Sequence, residues 1–242
     1  MMSFNSFENY ARRARLGVTS TEMSGRYPSQ QVAERGILLD VVEKLQIQPD
    51  DTVLDIGCGV GLLAGPLSFL VASVTGIDHP EVVEVLRARC PGVEPLPGDF
   101  RDVDLGDRTF TKIITYGVVQ NLPDEEAVTG FLRRALDHLD AGGRLLVGDM
   151  PNVDKKRRFQ ATRFGEEFEQ MWASRGGSAS MIGEGELLPE SQRVEFTDEA
   201  VASIFRRVRS WGYDAYVLPQ PEHLPWGFTR EDFLIRSVER PS

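Results

Sequence analysis

The chain has 242 residues, with 27 Lys and Arg against 37 Asp and Glu, for a formal net charge of −10. That length suits one large domain or two small ones, and a 41% hydrophobic content can fill a core in either case, which excludes a disordered chain. No run approaches the roughly 20 apolar residues of a bilayer span, and two cysteines, Cys58 and Cys90, are too few for a disulfide scaffold or a Cys-rich zinc module.

Residues 1–27 are polar and lack the apolar stretch of a secretory signal; they predict a short helix around Phe7–Leu16. Ser29 is the expected N-cap of a helix carrying Leu38, Val41, Val42 and Leu45. Thr52–Ile56 reads as the first strand, followed by the turn Gly57-Cys58-Gly59-Val60-Gly61 and a helix over 62–71. Val74–Asp78 is the second strand, Pro80 opens a helix to Arg89, and Val93–Leu96 is the third strand. Lys112–Val119 is the fourth strand. An acidic first turn at Pro123–Glu126 opens a helix with the stripe Val128, Phe131, Leu132, Ala135, Leu136 and Leu139, expected to end at Ala141-Gly142-Gly143. Arg144–Asp149 is the fifth strand. Residues 151–196 hold a basic run, an amphipathic piece at Phe164–Trp172 and a glycine- and serine-rich stretch at 176–180, long enough to suggest a functional insertion. A helix at Asp198–Trp211 and strands at Asp214–Leu218 and Asp232–Val238 close the pattern. Alternating strands and helices predict one α/β domain: a lid at 1–27, a core at 28–150, a cap at 151–196, and a closing helix and strands at 197–242.

The turn at 57–61 is the chemical signal. An apolar strand feeds glycines that let a ligand approach the backbone, and a helix N-terminus follows. Asp78 lies 17 residues past Gly61, where a carboxylate can accept hydrogen bonds from ribose hydroxyls. Gly59-Val60-Gly61-Leu62-Leu63-Ala64 also satisfies a dinucleotide fingerprint, G-x-G-x-x-A. Asp55 weighs against that reading, because a carboxylate beside the turn repels a pyrophosphate but complements the sulfonium and ammonium of S-adenosylmethionine (SAM).

VLDIGCGVG, followed by GIDHP, GDF and YGVVQNLPD, resembles the class I SAM-dependent methyltransferases, strongly over about residues 50–150. The resemblance implies a Rossmann-like seven-stranded sheet with its last strand antiparallel and helices on both faces. It implies that Asp55, Gly57, Cys58, Gly59, Gly61 and Leu62 hold the methionine part, that Asp78 binds the ribose with His79 flanking the adenosine, that Asp99 meets the adenine amino group with Phe100 near the ring, and that Tyr116 and Gly117 line the sulfonium end. Many relatives carry a histidine near the position of Gln120-Asn121; this chain does not.

Ligands of open α/β sheets sit outside the carboxyl ends of the parallel strands, so the segments after the fourth, fifth and sixth strands face the reaction. The residues name no single base. His223, Asp149 and Tyr116 are the candidate catalytic groups, each with an ordinary alternative as loop, turn cap or packing residue. Lys155-Lys156-Arg157-Arg158 is the one dense basic run, and it suggests a small acceptor that is acidic, such as a phosphorylated sugar or a carboxylate. The acidic balance disfavours nucleic acid as partner. Three scattered histidines show no metal-ligand spacing. The expectation is therefore a cytoplasmic monomer or homodimer that transfers a methyl group from SAM to an O or N nucleophile of a small molecule such as a sugar, nucleotide-sugar or natural product. The alternatives are an NAD-linked oxidoreductase and a SAM-binding adapter without catalysis.

Overall fold

A computed structural model describes residues 5–174, 182 and 193–238. Its centre is a seven-stranded sheet in the order β3-β2-β1-β4-β5-β7-β6. The strands are β1 (Thr52–Ile56), β2 (Ser73–Asp78), β3 (Val93–Pro97), β4 (Phe110–Tyr116), β5 (Leu139–Pro151), β6 (Asp214–Pro219) and β7 (Arg230–Arg236). The first five pair in parallel, and β7 runs antiparallel to both β5 and β6, as the resemblance implied. The helices are α1 (Asn5–Leu16), α2 (Ser20–Met23), α3 (Gln31–Glu34), α4 (Ile37–Leu45), α5 (Ala64–Leu67), α6 (Pro80–Arg89), α7 (Glu125–Asp137), α8 (Val153–Gln160), α9 (Arg163–Ser174) and α10 (Asp198–Ser210).

Side-chain alternation along the strands builds two cores. Leu54, Ile113, Leu145 and Ile235 face one side, where they meet Leu132 and Leu136 of α7 and Ile204 of α10. Val53, Ile114, Leu146 and Leu234 face the other, against Val41 of α4, Leu67 of α5 and Leu86 of α6. Both faces are covered, so the central strands are buried on both sides and mostly apolar, with Asp55, Lys112 and Thr115 as buried polar exceptions. Asp124 caps α7 by accepting from Ala127 N at 2.8 Å, and Thr197 caps α10 by accepting from Ala200 N at 3.1 Å.

Several boundaries move. Ser29 is not an N-cap: it lies within a 3₁₀ turn, Pro28–Gln30, that begins after Tyr27, and the long helix starts only at Ile37. The helix after the glycine turn shrinks to Ala64–Leu67. Helix α7 ends at Asp137, and Ala141-Gly142-Gly143 lies inside β5, because Leu139 already pairs with Phe110 across a register shift. The fourth strand stops at Tyr116, and Val119–Asn121 is a 3₁₀ turn. The glycine- and serine-rich stretch at 176–180 lies outside the described residues. Among the described residues no helix is long and apolar enough to cross a membrane.

Candidate cofactor pocket

Parallel pairing brings the carboxyl ends of β1, β2 and β4 to one edge, and a pocket opens there. The glycine turn forms its floor. Gly57 N and Cys58 N both donate to Ile77 O, at 2.8 and 3.1 Å, which pins the turn to β2. Gly57 has φ +76°, and a Cβ there would sit 2.4 Å from Val118 Cγ2. Gly59 has φ +55°, and a Cβ there would meet nothing within 4 Å. The first glycine is therefore fixed by packing. The second leaves its backbone open to the pocket.

Asp78 ends β2 and is buried. Its two oxygens accept from Gly59 N at 2.8 Å and His79 N at 2.7 Å. Burial raises its pKa, and these two backbone bonds oppose the rise. Asp55, 2% exposed, is pushed up to about 7 by burial and by the neighbouring charge of Asp78, against a backbone hydrogen bond from Ala64. The two arginines that line the pocket are engaged elsewhere: Arg26 pairs with Asp149 at 2.8 Å and with Glu34 at 3.6 Å, and Arg101 pairs with Asp99. The Asp55–Asp78 end of the pocket thus carries buried acid without an arginine or lysine of the described chain against it.

Cys58, Gly59, Leu62, Phe100, Tyr116 and Gly117 also line this pocket. Burial pushes the Asp99 carboxyl up, but its bonds to the Arg101 side chain and backbone outweigh that and hold it below the usual range. Phe100 is buried, with its ring edge-on to Phe131 at 5.0 Å. The expected site residue Gly61 belongs to the turn, where a Cβ would meet Cys90 Sγ at 2.6 Å. His79 does not line the pocket; its Nδ1 caps α6 by accepting from Glu81 N at 3.2 Å, and its ring packs on Phe7 at 4.8 Å.

A roof over the pocket comes from the first 30 residues. Phe7 and Tyr10 of α1, Met23 of α2 and Arg26 all line it. Sequence patterning signals a helix at 7–16, but nothing in it marks these four side chains. Arg26 reaches furthest: its guanidinium lies 5.6 Å from the Tyr116 ring centroid, and Nη2 donates to Asp149.

Behind Tyr116 a buried polar chain runs through the molecule. Asp149, 3% exposed and at φ +61°, accepts from Arg26 at 2.8 Å and from Gln220 Nε2 at 3.4 Å. Gln220 also donates to the Tyr116 hydroxyl at 3.0 Å and to Asp232 at 3.2 Å. Asp232 accepts from Asp149 N at 2.8 Å and pairs with Lys44 at 2.6 Å. Burial, then the charges of Asp149 and Asp232, drive the Tyr116 phenol well above its ordinary pKa. His223 is elsewhere, exposed and lining a second cavity. In the basic run, Lys155 donates to Arg230 O, Arg157 pairs with Asp154, and Arg158 pairs with Asp198; Lys156 lines the second cavity.

A family model described as a methyltransferase domain matches residues 53–143, the segment from β1 into β5. A ubiquinone biosynthesis O-methyltransferase of Methylobacterium nodulans is 31% identical over 132 residues, covering 52% of this chain and 50% of the relative. The chain spans about half the length of the curated relatives it matches first. Among solved structures, phosphoethanolamine N-methyltransferase 1 of Haemonchus contortus superimposes with a TM-score of 0.69 at 14% identity, covering 98% of this chain and 49% of that one. The magnesium protoporphyrin IX methyltransferase of Synechocystis gives 0.62 at 13% identity, covering 98% and 100%. The segment at 53–143 is thus similar to a methyltransferase domain, and the seven-stranded sheet with β7 antiparallel has the fold of these solved methyltransferases.

Proposed function

We propose that the chain binds SAM at the glycine turn and transfers its methyl group to an O or N nucleophile of a small-molecule acceptor. The observation that carries this reading is the pair Asp55 and Asp78, two buried acids facing a pocket whose arginines are already paired. A cationic amino-acid moiety relieves that arrangement, and a pyrophosphate worsens it. In this reading Asp55 and the turn backbone hold the ammonium end, and Asp78, oriented by Gly59 N and His79 N, takes the ribose hydroxyls. Phe100 and Asp99 border the adenine, and Tyr116 and Gly117 border the sulfonium.

Bound SAM supplies a methyl carbon already activated by its sulfonium; the C–S bond breaks as the acceptor attacks in line. The chain's part is alignment and exclusion of water. Phe7, Tyr10, Met23 and Arg26 act as a lid, and α8 and α9, from the described part of the 151–196 segment, act as a cap over the acceptor. Tyr116, with its phenol held protonated, positions the acceptor as a hydrogen-bond partner and does not serve as a base. Asp149, held by Arg26 and Gln220, and His223, exposed on the second cavity, are the candidate proton acceptors of this reading. The two thiols are free, which suits the reducing cytoplasm where we place the reaction.

Calorimetry with SAM, S-adenosylhomocysteine (SAH) and NAD tests the cofactor, and SAH release in an acceptor screen tests the transfer. The expected result is binding of SAM and SAH with none of NAD, and turnover on at least one acceptor class. Binding without turnover on any class favours an adapter, and tight NAD binding alone overturns the reading.

The Asp55 carboxyl gives a pH signature. Free of ligand it is protonated below about 7, and a bound ammonium favours the charged form. SAH affinity therefore rises by about tenfold between pH 6 and pH 8, as the charged fraction grows from about a tenth to about nine tenths. Cys58, whose thiol is pushed up by burial, stays protonated across this window. Calorimetry in buffers of different ionisation enthalpy should show proton release on binding near pH 6 and little at pH 8. A flat affinity across the window contradicts this placement of Asp55.

A further inference from the structure

A second cavity of about 650 Å³ lies beside the cofactor pocket, between α8, α9 and the loop joining β6 to β7. Its walls are rings. Phe159 stacks on Phe228 at 4.8 Å with planes 8° apart, and Phe168 stacks on Trp172 at 6.4 Å. Tyr27 stands edge-on to both Trp172 and Trp226, each at 6.2 Å. These rings do not close into a packed core. Helix α8 buries no side chain and α9 buries only Gly165, although α9 carries Phe164, Phe168, Met171 and Trp172 at helical spacing. A core made for packing alone would draw such rings out of solvent.

Two further observations point to a ligand. Trp226 holds φ +58°, a left-handed conformation that is costly for a bulky residue and clusters at sites where geometry serves binding. Arg230 covers its ring at 4.8 Å. Lys156, the member of the basic run that faces the cavity, has no side-chain partner among the described residues, whereas Lys155, Arg157 and Arg158 are each engaged. The acids on the wall are Glu169, which accepts from Gln160, and the exposed Glu222; His223 lies beside them.

The partition between the cavities is shared. Arg26 lines the cofactor pocket and its neighbour Tyr27 lines the second cavity. Arg230, on the second cavity, donates through Nη1 to Asp149 O at 3.1 Å, and the Asp149 carboxylate holds Arg26. We infer that this cavity binds the methyl acceptor, and that the acceptor is a planar aromatic molecule with an anionic substituent. This rests on the methyl-transfer reading. Stacking on the rings selects planarity, the volume falls in the range of ordinary ligand sites, and Lys156 meets the anionic group. The basic run thus contributes one contact to an acidic acceptor and not four.

The test uses the full chain with Trp211→Phe, which leaves Trp172 and Trp226, both on the cavity wall, as reporters. The chain is first saturated with SAH, so that a probe cannot enter the cofactor pocket. Titration with 1-hydroxy-2-naphthoate is expected to quench tryptophan fluorescence saturably. Lys156→Gln should weaken the naphthoate by roughly fivefold and leave uncharged 2-naphthol within about twofold. Phe168→Ala should weaken both by roughly tenfold with SAH affinity retained. Absence of saturable quenching, or naphthoate affinity indifferent to both variants, overturns the inference while the cofactor reading stands. Failure of SAH to bind at the outset overturns both.

Discussion

Arg26→Met is expected to cost about 3–5 kcal/mol of folding stability, the ordinary penalty for leaving a buried charge unpaired. Arg26 is the closest cation to the Asp149 carboxylate, at 2.8 Å, and both side chains are under 5% exposed. Arg230 lies further off at 3.9 Å. For a chain of this size the loss lowers Tm by roughly 6–20 °C. Pairing Arg26→Met with Asp149→Asn should recover part of it, since Asn removes the orphaned charge and tolerates the left-handed backbone at that position. Denaturant melts of the two variants check this. A single variant within about 1 kcal/mol of the parent means the ion pair contributes no more than a surface pair would. The same variant should also weaken SAH, because Arg26 closes the pocket roof.

The second large effect belongs to Asp78. Asp78→Ala removes the acceptor of two backbone N–H groups, Gly59 and His79, and the group proposed to meet the ribose. Loss of charged hydrogen bonds of this kind costs about 1.5–3 kcal/mol, roughly a tenfold to 150-fold drop in SAH affinity. Asp78→Asn should fall between the parent and Ala, because it keeps one acceptor oxygen and the shape but not the charge. Calorimetry with SAH gives the answer directly. Affinities within about twofold of the parent for both variants remove Asp78 from the binding site.

Strands were legible where short, largely apolar runs ended at turn residues. Thr52–Ile56 is found with its expected bounds, and the closing helix and strands fall within one or two residues of theirs. The exceptions share a cause. Glycines at 142 and 143 read locally as a helix stop, but pairing of Leu139 with Phe110 had already committed that stretch to the sheet. Such long-range pairing carries no local signature. The glycine turn and its acids were readable because strand, turn and downstream carboxylate stand in chain order. The roof was not. Arg26 and Asp149 are 123 residues apart, and neither has a pattern that announces the other. The basic run shows the opposite failure: four adjacent charges suggested one surface, yet helical geometry and nearby acids divide them among separate partners.

The antiparallel strand β7 sits between β5 and β6 and carries Asp232, which binds Lys44, while Asp149 at the end of β5 binds Arg26. Both cations lie in the first 50 residues, and β7 is the latest described strand in chain order. During vectorial synthesis, α4 can form long before its Lys44 has this counterion. The pocket roof latches onto a carboxylate whose own backbone is fixed by Asp232, so closure waits for the far end of the domain to emerge. A nascent chain halted before residue 230 would hold the whole glycine turn and yet lack the strand that steadies the latch. Closure of the roof is thereby tied to completion of the sheet and not to the glycine turn alone.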